Sequence, residues 1–223
     1  MAEPTITFGC AESFGEIAKW NEQSSNSSVV SDRARTLTKD GDQAASTTYN
    51  ERTEVTTSYE AGATSGCSIL PANIGALINS LILTGIDVST SATGFATLSL
   101  SGHNHTENPH ASSLALESVE HGIANTVGFG AVDFLGGTAG LNADVESSTL
   151  SISCEHVDVE AHTGNHLVGE NYDPKVTATT VWNGAPTTAA ATGTWDKISV
   201  VTETTNSGHL KTTVTGEKAL SFH

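Results

Sequence analysis

Apolar and polar residues alternate one by one through much of the chain. The pattern is clear at Thr53, Val55 and Thr57, at Ala96, Leu98 and Leu100 set against Phe95, Thr97 and Ser99, and at Leu150, Ile152 and Cys154. It recurs at Val157 and Val159, at Val176, Ala178 and Thr180, and at Ile198 and Val200. A period of two sends alternate side chains to opposite faces, so these runs predict half-buried antiparallel strands. One segment departs from that period. In SILPANIGALINSLIL, Ile74, Leu77, Ile78 and Leu81 recur at helical spacing behind Pro71, which predicts a single short helix at about 71–81. Between Glu22 and Gln43 a Ser-rich stretch turns to mixed charge and predicts a loop followed by an edge strand. The strands carrying Tyr59 and Trp182 each run into a glycine-bearing turn. The second, Asn183-Gly184, favours positive φ and predicts a hairpin.

The same elements recur in order. TTYNERTEVTTSYEAGA reads against ENYDPKVTATTVWNGAP, and one offset places Tyr49 on Tyr172, Arg52 on Lys175, Thr56 and Thr57 on Thr179 and Thr180, Tyr59 on Trp182, and Gly41 on Gly164. Upstream, ITFGCAESFGEIAKWN reads against VGFGAVDFLGGTAGLN, after a shift of two residues that sets Phe8 and Gly9 on Phe129 and Gly130. Downstream, the block ending at Gly102 reads against the block ending at Gly216. This predicts an all-β fold of two tandem, related β-sandwich or barrel-like units from an internal duplication. Residues 1–112 form the first unit, 113–123 a linker and 124–223 the second. The helix belongs to the first copy only, since the second has PTTAAATGTW at that place. Tyr59 and Trp182 are expected as equivalent core anchors.

Composition agrees with many strands joined by many turns: 37% of the 223 residues are hydrophobic and only 15% are charged. The net charge of −16, with no dense run of Lys or Arg, argues against binding nucleic acid by attraction to phosphates. An acidic wall would suit a channel through which nucleic acid slides without adhering. The N-terminus has neither a basic n-region nor an apolar h-region, and no segment is long and apolar enough for a span, so synthesis in the cytoplasm and no membrane partner are expected. Cys10, Cys67 and Cys154 have no CxxC spacing and are expected as buried free thiols.

Candidate chemistry is sparse. GHNHTENPH presents His103, His105 and His110 around Glu107, and an HxH pair on one strand face can ligate zinc, iron or nickel. The remaining ligands of a known metal pattern do not assemble from the sequence, so a solvated loop after a strand is the plainer reading and no metal or other cofactor is assigned. His156, Asp158 and Glu160 share a strand face, with His162 and His166 beyond. They read as a polar row, and Asp158 and Glu160 are the candidates for facing a lumen. No nucleophile elbow, Walker loop, HExxH or dinucleotide fingerprint occurs, so no catalytic residue is assigned and the chain is expected not to be an enzyme. Aromatic residues make up only 5% of the chain, too few to suggest a carbohydrate-binding platform.

On these grounds, the duplicated β units above all, the chain resembles the tail tube proteins of tailed bacteriophages. The resemblance lies in architecture rather than in a signature motif. It implies β-sandwich units with a flanking helix that join the sheets of neighbouring subunits into an inner barrel around an acidic lumen. Where the unit occurs twice per chain, it implies trimeric rings of pseudo-sixfold symmetry. The expected role is then a structural virion protein, made in the host cytoplasm, whose rings stack as a tube through which DNA passes without specific binding. Its expected partners are itself and other virion proteins. A capsid-decorating or head-tail joining protein is the alternative within the virion, and a metal-binding β-barrel protein using His103 and His105 is the alternative outside it.

Overall fold

Thr, Ser and Val dominate the alternating runs, and such residues suit the pleated, half-buried surface of a sheet. In the computed structural model those runs become long antiparallel strands. The structure describes residues 13–69, 73–105, 119–120, 123, 126–160, 166–191, 193–204 and 208–221. The strands are β1 (Trp20–Leu37), β2 (Gln43–Ala61), β3 (Cys67–Ser68), β4 (Asn73–Ile74), β5 (Leu77–Ile78), β6 (Leu81–Ser91) and β7 (Thr97–His105). They continue as β8 (Val119–Glu120), β9 (Thr126–Val127), β10 (Asp144–Glu160), β11 (His166–Asn183), β12 (Lys197–Thr204) and β13 (Leu210–Ala219). The chain is all-β, with no helix among the described residues.

One large sheet runs in the order β1-β2-β7-β6-β10-β11-β13-β12, with β5 added beside β6. Every pairing is antiparallel. The strands of the two sequence halves are therefore hydrogen-bonded into one sheet, and the join is β6 against β10, where Ile86 faces Ile152 and Val88 faces Leu150. The two short pairs β3-β9 and β4-β8 lie outside this sheet.

Alternation divides the sheet into two unlike faces. One carries Val55, Tyr59, Leu98, Leu100, Ile86, Val88, Leu150, Ile152, Val176, Ala178, Trp182 and Val214, all buried. Phe14, Trp20, Cys67, Ile69, Ile74, Val127, Phe134, Leu135 and Trp195 complete the same hydrophobic cluster from the segments that pack over this face. Tyr59 and Trp182 are core residues, as expected, and so are the free thiols Cys67 and Cys154. Cys10 lies outside the described residues. The opposite face presents Ser58, Ser89, Thr97, Ser99, Thr149, Ser151, Thr177 and Thr179, a hydroxyl-rich surface that also carries Asp87 and, farther out, Arg52, Glu54, Lys197 and Glu217.

Three local expectations are corrected. The helix expected at 71–81 is absent over the described part: 73–81 forms β4, β5 and the first residue of β6, while 71–72 lie outside the described residues. Asn79 and Ser80 take positive φ, 48° and 68°, and reverse the chain between β5 and β6, so the apolar spacing reflects short strand pairs separated by tight turns. The loop expected after Glu22 is instead the body of β1, paired along nearly its whole length with β2. Gly184 does take positive φ, 94°, but β11 pairs with β10 and β13, so the Asn183-Gly184 turn leads the chain out of the sheet and makes no hairpin.

The long hairpins β1-β2 and β10-β11 are each interrupted by three register shifts. In the first they fall at Glu22/Ser24, Val30/Asp32 and Thr36/Leu37. In the second they fall at Val145/Ser147, Ser153/Glu155 and Val159/Glu160. Glycine recurs as well, where a covering side chain presses on the sheet. A Cβ at Gly102 would collide with the Ile82 backbone and lie 2.9 Å from Phe14 Cζ, and one at Gly216 would lie 2.6 Å from Leu135 Cδ2 and 2.8 Å from Trp195 Cδ2.

Candidate functional sites: two open sheet edges and a histidine–aspartate cluster

Among the described residues the sheet ends in two edge strands, β1 and β12. β12 is exposed at all eight residues, including Ile198, Val200 and Val201 at 43%, 51% and 51%. It carries neither proline nor bulge, two of the devices that blunt an edge against pairing, and its charges, Lys197 and Glu203, leave the apolar middle of the strand open. On the other edge, β1 exposes Val29 at 67%. Charge on these outer elements is mixed: Arg33 on β1 bonds Ser46 and Gln43, and Glu217 on β13 pairs with Lys197 at 3.0 Å.

The second site lies beyond the last β6-β10 pair, Gly85 with Ser153, where β6 still pairs with β7 at Ile82 and His103 but no longer with β10. On β7, His103 and His105 continue the alternate positions of Ser99 and Ser101. On β10, the register shift between Ser153 and Glu155 changes which residues face which side, and His156 and Asp158 turn toward the β7 histidines. His105 Nε2 and His156 Nε2 each lie 2.9 Å from the same oxygen, Asp158 Oδ1. The His103 ring stands edge-on to His156, with centroids 4.8 Å apart. The side chains of His105 and His156 are 1% and 3% exposed, and that of Asp158 is 12% exposed. A cleft of about 460 Å³ bordered by Arg52, Glu54, Thr84 and Glu155 opens onto the cluster.

Burial by itself raises the pKa of a carboxyl. At Asp158 it is outweighed by the hydrogen bonds and charges of His105 and His156, which hold the group well below the ordinary carboxylate range. A second partner fixes the orientation of His156. Asn171 donates its Nδ2 to the Gly75 carbonyl at 3.1 Å, which leaves its Oδ1 to accept from His156 Nδ1 at 2.6 Å. The proton therefore sits on Nδ1.

Of the residues expected from sequence, His103, His105, His156 and Asp158 come together. Glu107, His110 and His162 lie outside the described residues, and the side chains of Glu160 and His166 are likewise not described. The side chain of His156 is 3% exposed and that of Asp158 12%, both within the cluster. Asn171 gave no sign in the sequence, because its role depends on a strand pairing with His156 that only the fold supplies. Among the described residues no helix is long and apolar enough to cross a membrane. No protein-family model and no curated protein matches the sequence.

Proposed function

We propose that the chain is an internally duplicated structural subunit that polymerises edge to edge into rings, and that such rings stack as the tube of a bacteriophage tail. The duplication is supported by the register of the sheet. Each of the three shifts in β1-β2 has its counterpart in β10-β11 at the offset that places Tyr59 on Trp182. Tyr59 pairs with Leu98 and Val55 with Gly102, as Trp182 pairs with Thr212 and Ala178 with Gly216. Ser25 meets the Thr57 hydroxyl at 3.3 Å, and Ser148 meets the Thr180 hydroxyl at 2.8 Å. Phe14 covers Gly102 as Leu135 covers Gly216.

One observation carries the functional reading. If β1 corresponds to β10 and β12 to β6, the open edges are the two sides of a junction that already exists once inside the chain, β6 against β10. Transposing that register sets Val200 against Val29 and Val201 against Ser28. Their internal counterparts, Ile86 opposite Ile152, are fully buried, whereas Val200 and Val29 are more than half exposed. A second copy docked in this way satisfies the backbone groups of both edges and buries that apolar pair. The contact is heterologous, one edge against the other, so it generates a closed ring or an open filament rather than an isolated dimer. With two equivalent units per chain a closed ring has twice as many units as chains, and the resemblance to tail tube proteins implies a trimer of pseudo-sixfold symmetry.

In such a ring the sheet becomes continuous, and its hydroxyl-rich face is the natural wall of a lumen. Ser and Thr offer no positive charge to hold phosphates, the cations of that face, Arg52, Lys175 and Lys197, are each paired with a carboxylate, and the chain carries −16 overall, so DNA would pass without adhering. Negative-stain electron microscopy across a concentration series tests the assembly. Rings or hollow tubes from the wild type, lost when Val200→Lys places a charge on the β12 edge, are expected. Uniformly small particles at every concentration would defeat the polymerising reading and favour a decorating or joining role in the virion.

A further inference from the structure

We propose that His103, His105, His156 and Asp158 form a binding site for one divalent first-row transition-metal ion, zinc being the best match, which ties β7 to β10 where β10 is no longer paired with β6. The inference is independent of ring assembly. Donor atoms of His103, His105 and Asp158 all lie within 4.8 Å of one another, and His156 Nε2 reaches the same carboxylate oxygen at 2.9 Å. Three imidazole nitrogens and one carboxylate are a ligand set that zinc accepts in a tetrahedron. Bonds of about 2.0 Å bring such ligands to roughly 3.3 Å from one another, so the set, spread over up to 4.8 Å, has to close up by about 1.5 Å on binding. His103 is only half-buried.

The orientation of His156 makes this more than proximity. Metal-bound histidines characteristically direct the other ring N–H to a carbonyl or carboxylate oxygen, which selects the tautomer and aims the ligating lone pair. The Asn171 amide does this for His156, and its own orientation is set by the Gly75 carbonyl at 3.1 Å. Asn171 is only 3% exposed, so the supporting partner is a fixed part of the interior. Four protein donors leave no open position at a tetrahedral ion, which makes the site structural. It would hold the two halves of the chain together beyond the last β6-β10 pair, Gly85 with Ser153.

The test uses the full chain, stripped with chelator and returned to chelator-free buffer, then titrated with zinc or cobalt(II). Expected are one equivalent bound per chain, the intense visible bands of tetrahedral cobalt(II), and a higher melting temperature with zinc. Asp158→Asn and His156→Ala should each weaken binding by about tenfold or more, whereas the exposed His209→Ala should leave it unchanged. Sub-stoichiometric binding, the weak spectrum of six-coordinate cobalt(II), or affinity undiminished in both cluster variants would overturn the site. Should a cluster variant fail to fold, the cobalt(II) spectrum and stoichiometry of the wild type decide the question alone.

Discussion

Tyr59 condenses much of the fold into one side chain. It is 1% exposed, and its hydroxyl donates to the Gly15 carbonyl at 2.9 Å, anchoring the covering segment to the sheet. Truncating Tyr59 or its counterpart Trp182 to Ala should cost about 3–5 kcal/mol in chemical denaturation, as for other buried aromatics, and a near-neutral result at either would undercut their equivalence. Burial, helped by the charge of Glu22 and opposed by a hydrogen bond with Thr57, pushes the Tyr59 phenol from 10.0 up to about 12. The folded state thus favours the protonated phenol. That stability is fully present below pH 10 and is lost as pH rises toward 12, because the unfolded chain ionises first. Tyr59→Phe should cost about 1 kcal/mol near neutrality through the lost hydrogen bond, and its stability should fall less steeply than wild type between pH 10 and 12. The Cys154 thiol, likewise raised to about 12 by burial and then by Glu155, should stay unmodified by alkylating reagents in the folded chain at pH 8.

At the scale of elements, the twin glycines report how closely each half is covered. Gly216→Ala would push against Leu135 and Trp195 side chains, which can shift, whereas Gly102→Ala would meet the Ile82 backbone, which cannot. Both should destabilise by about 1–3 kcal/mol as overpacked sites, with Gly102→Ala the worse of the two in a denaturant titration. The strands themselves were legible in the sequence because alternation at Leu98, Leu100, Ile152 and Val176 records a sheet with one dry face. The segment at 73–81 was not, since Ile74, Leu77, Ile78 and Leu81 satisfy a helical spacing equally well, and only the positive φ of Asn79 and Ser80 separates the two readings. Nor was the full depth of the histidine cluster. His103 and His105 announce themselves as a pair, but their meeting with His156, Asp158 and Asn171 depends on β6 and β10 parting beyond Gly85 and Ser153 and on the register shift after Ser153. Val157 and Val159 alternate like core residues yet are nearly half exposed, so alternation marks a strand without saying whether anything covers it.

For the whole molecule, the internal junction also predicts charge pairing between copies. At that junction His156 of β10 lies against His103 of β7, across the start of β6. The offsets that relate the two halves place Arg33 at the position of His156 and Glu217 at that of His103. Docking the β1 edge of one copy on the β12 edge of the next therefore brings Arg33 toward Glu217, an attractive pair where the internal junction has two imidazoles. Glu217 is already shared with Lys197, so the contact would form a small network at the rim of the interface rather than an isolated pair. Glu217→Arg alone should slow or abolish assembly by setting two guanidinium groups together, and the effect should be larger at low salt. Arg33→Glu combined with Glu217→Arg should restore it, as measured by light scattering and by ring counts in negative stain. Rescue by the double reversal would fix the register of the contact. Assembly indifferent to the single reversal would mean that copies meet in another register or through other surfaces, even if they polymerise.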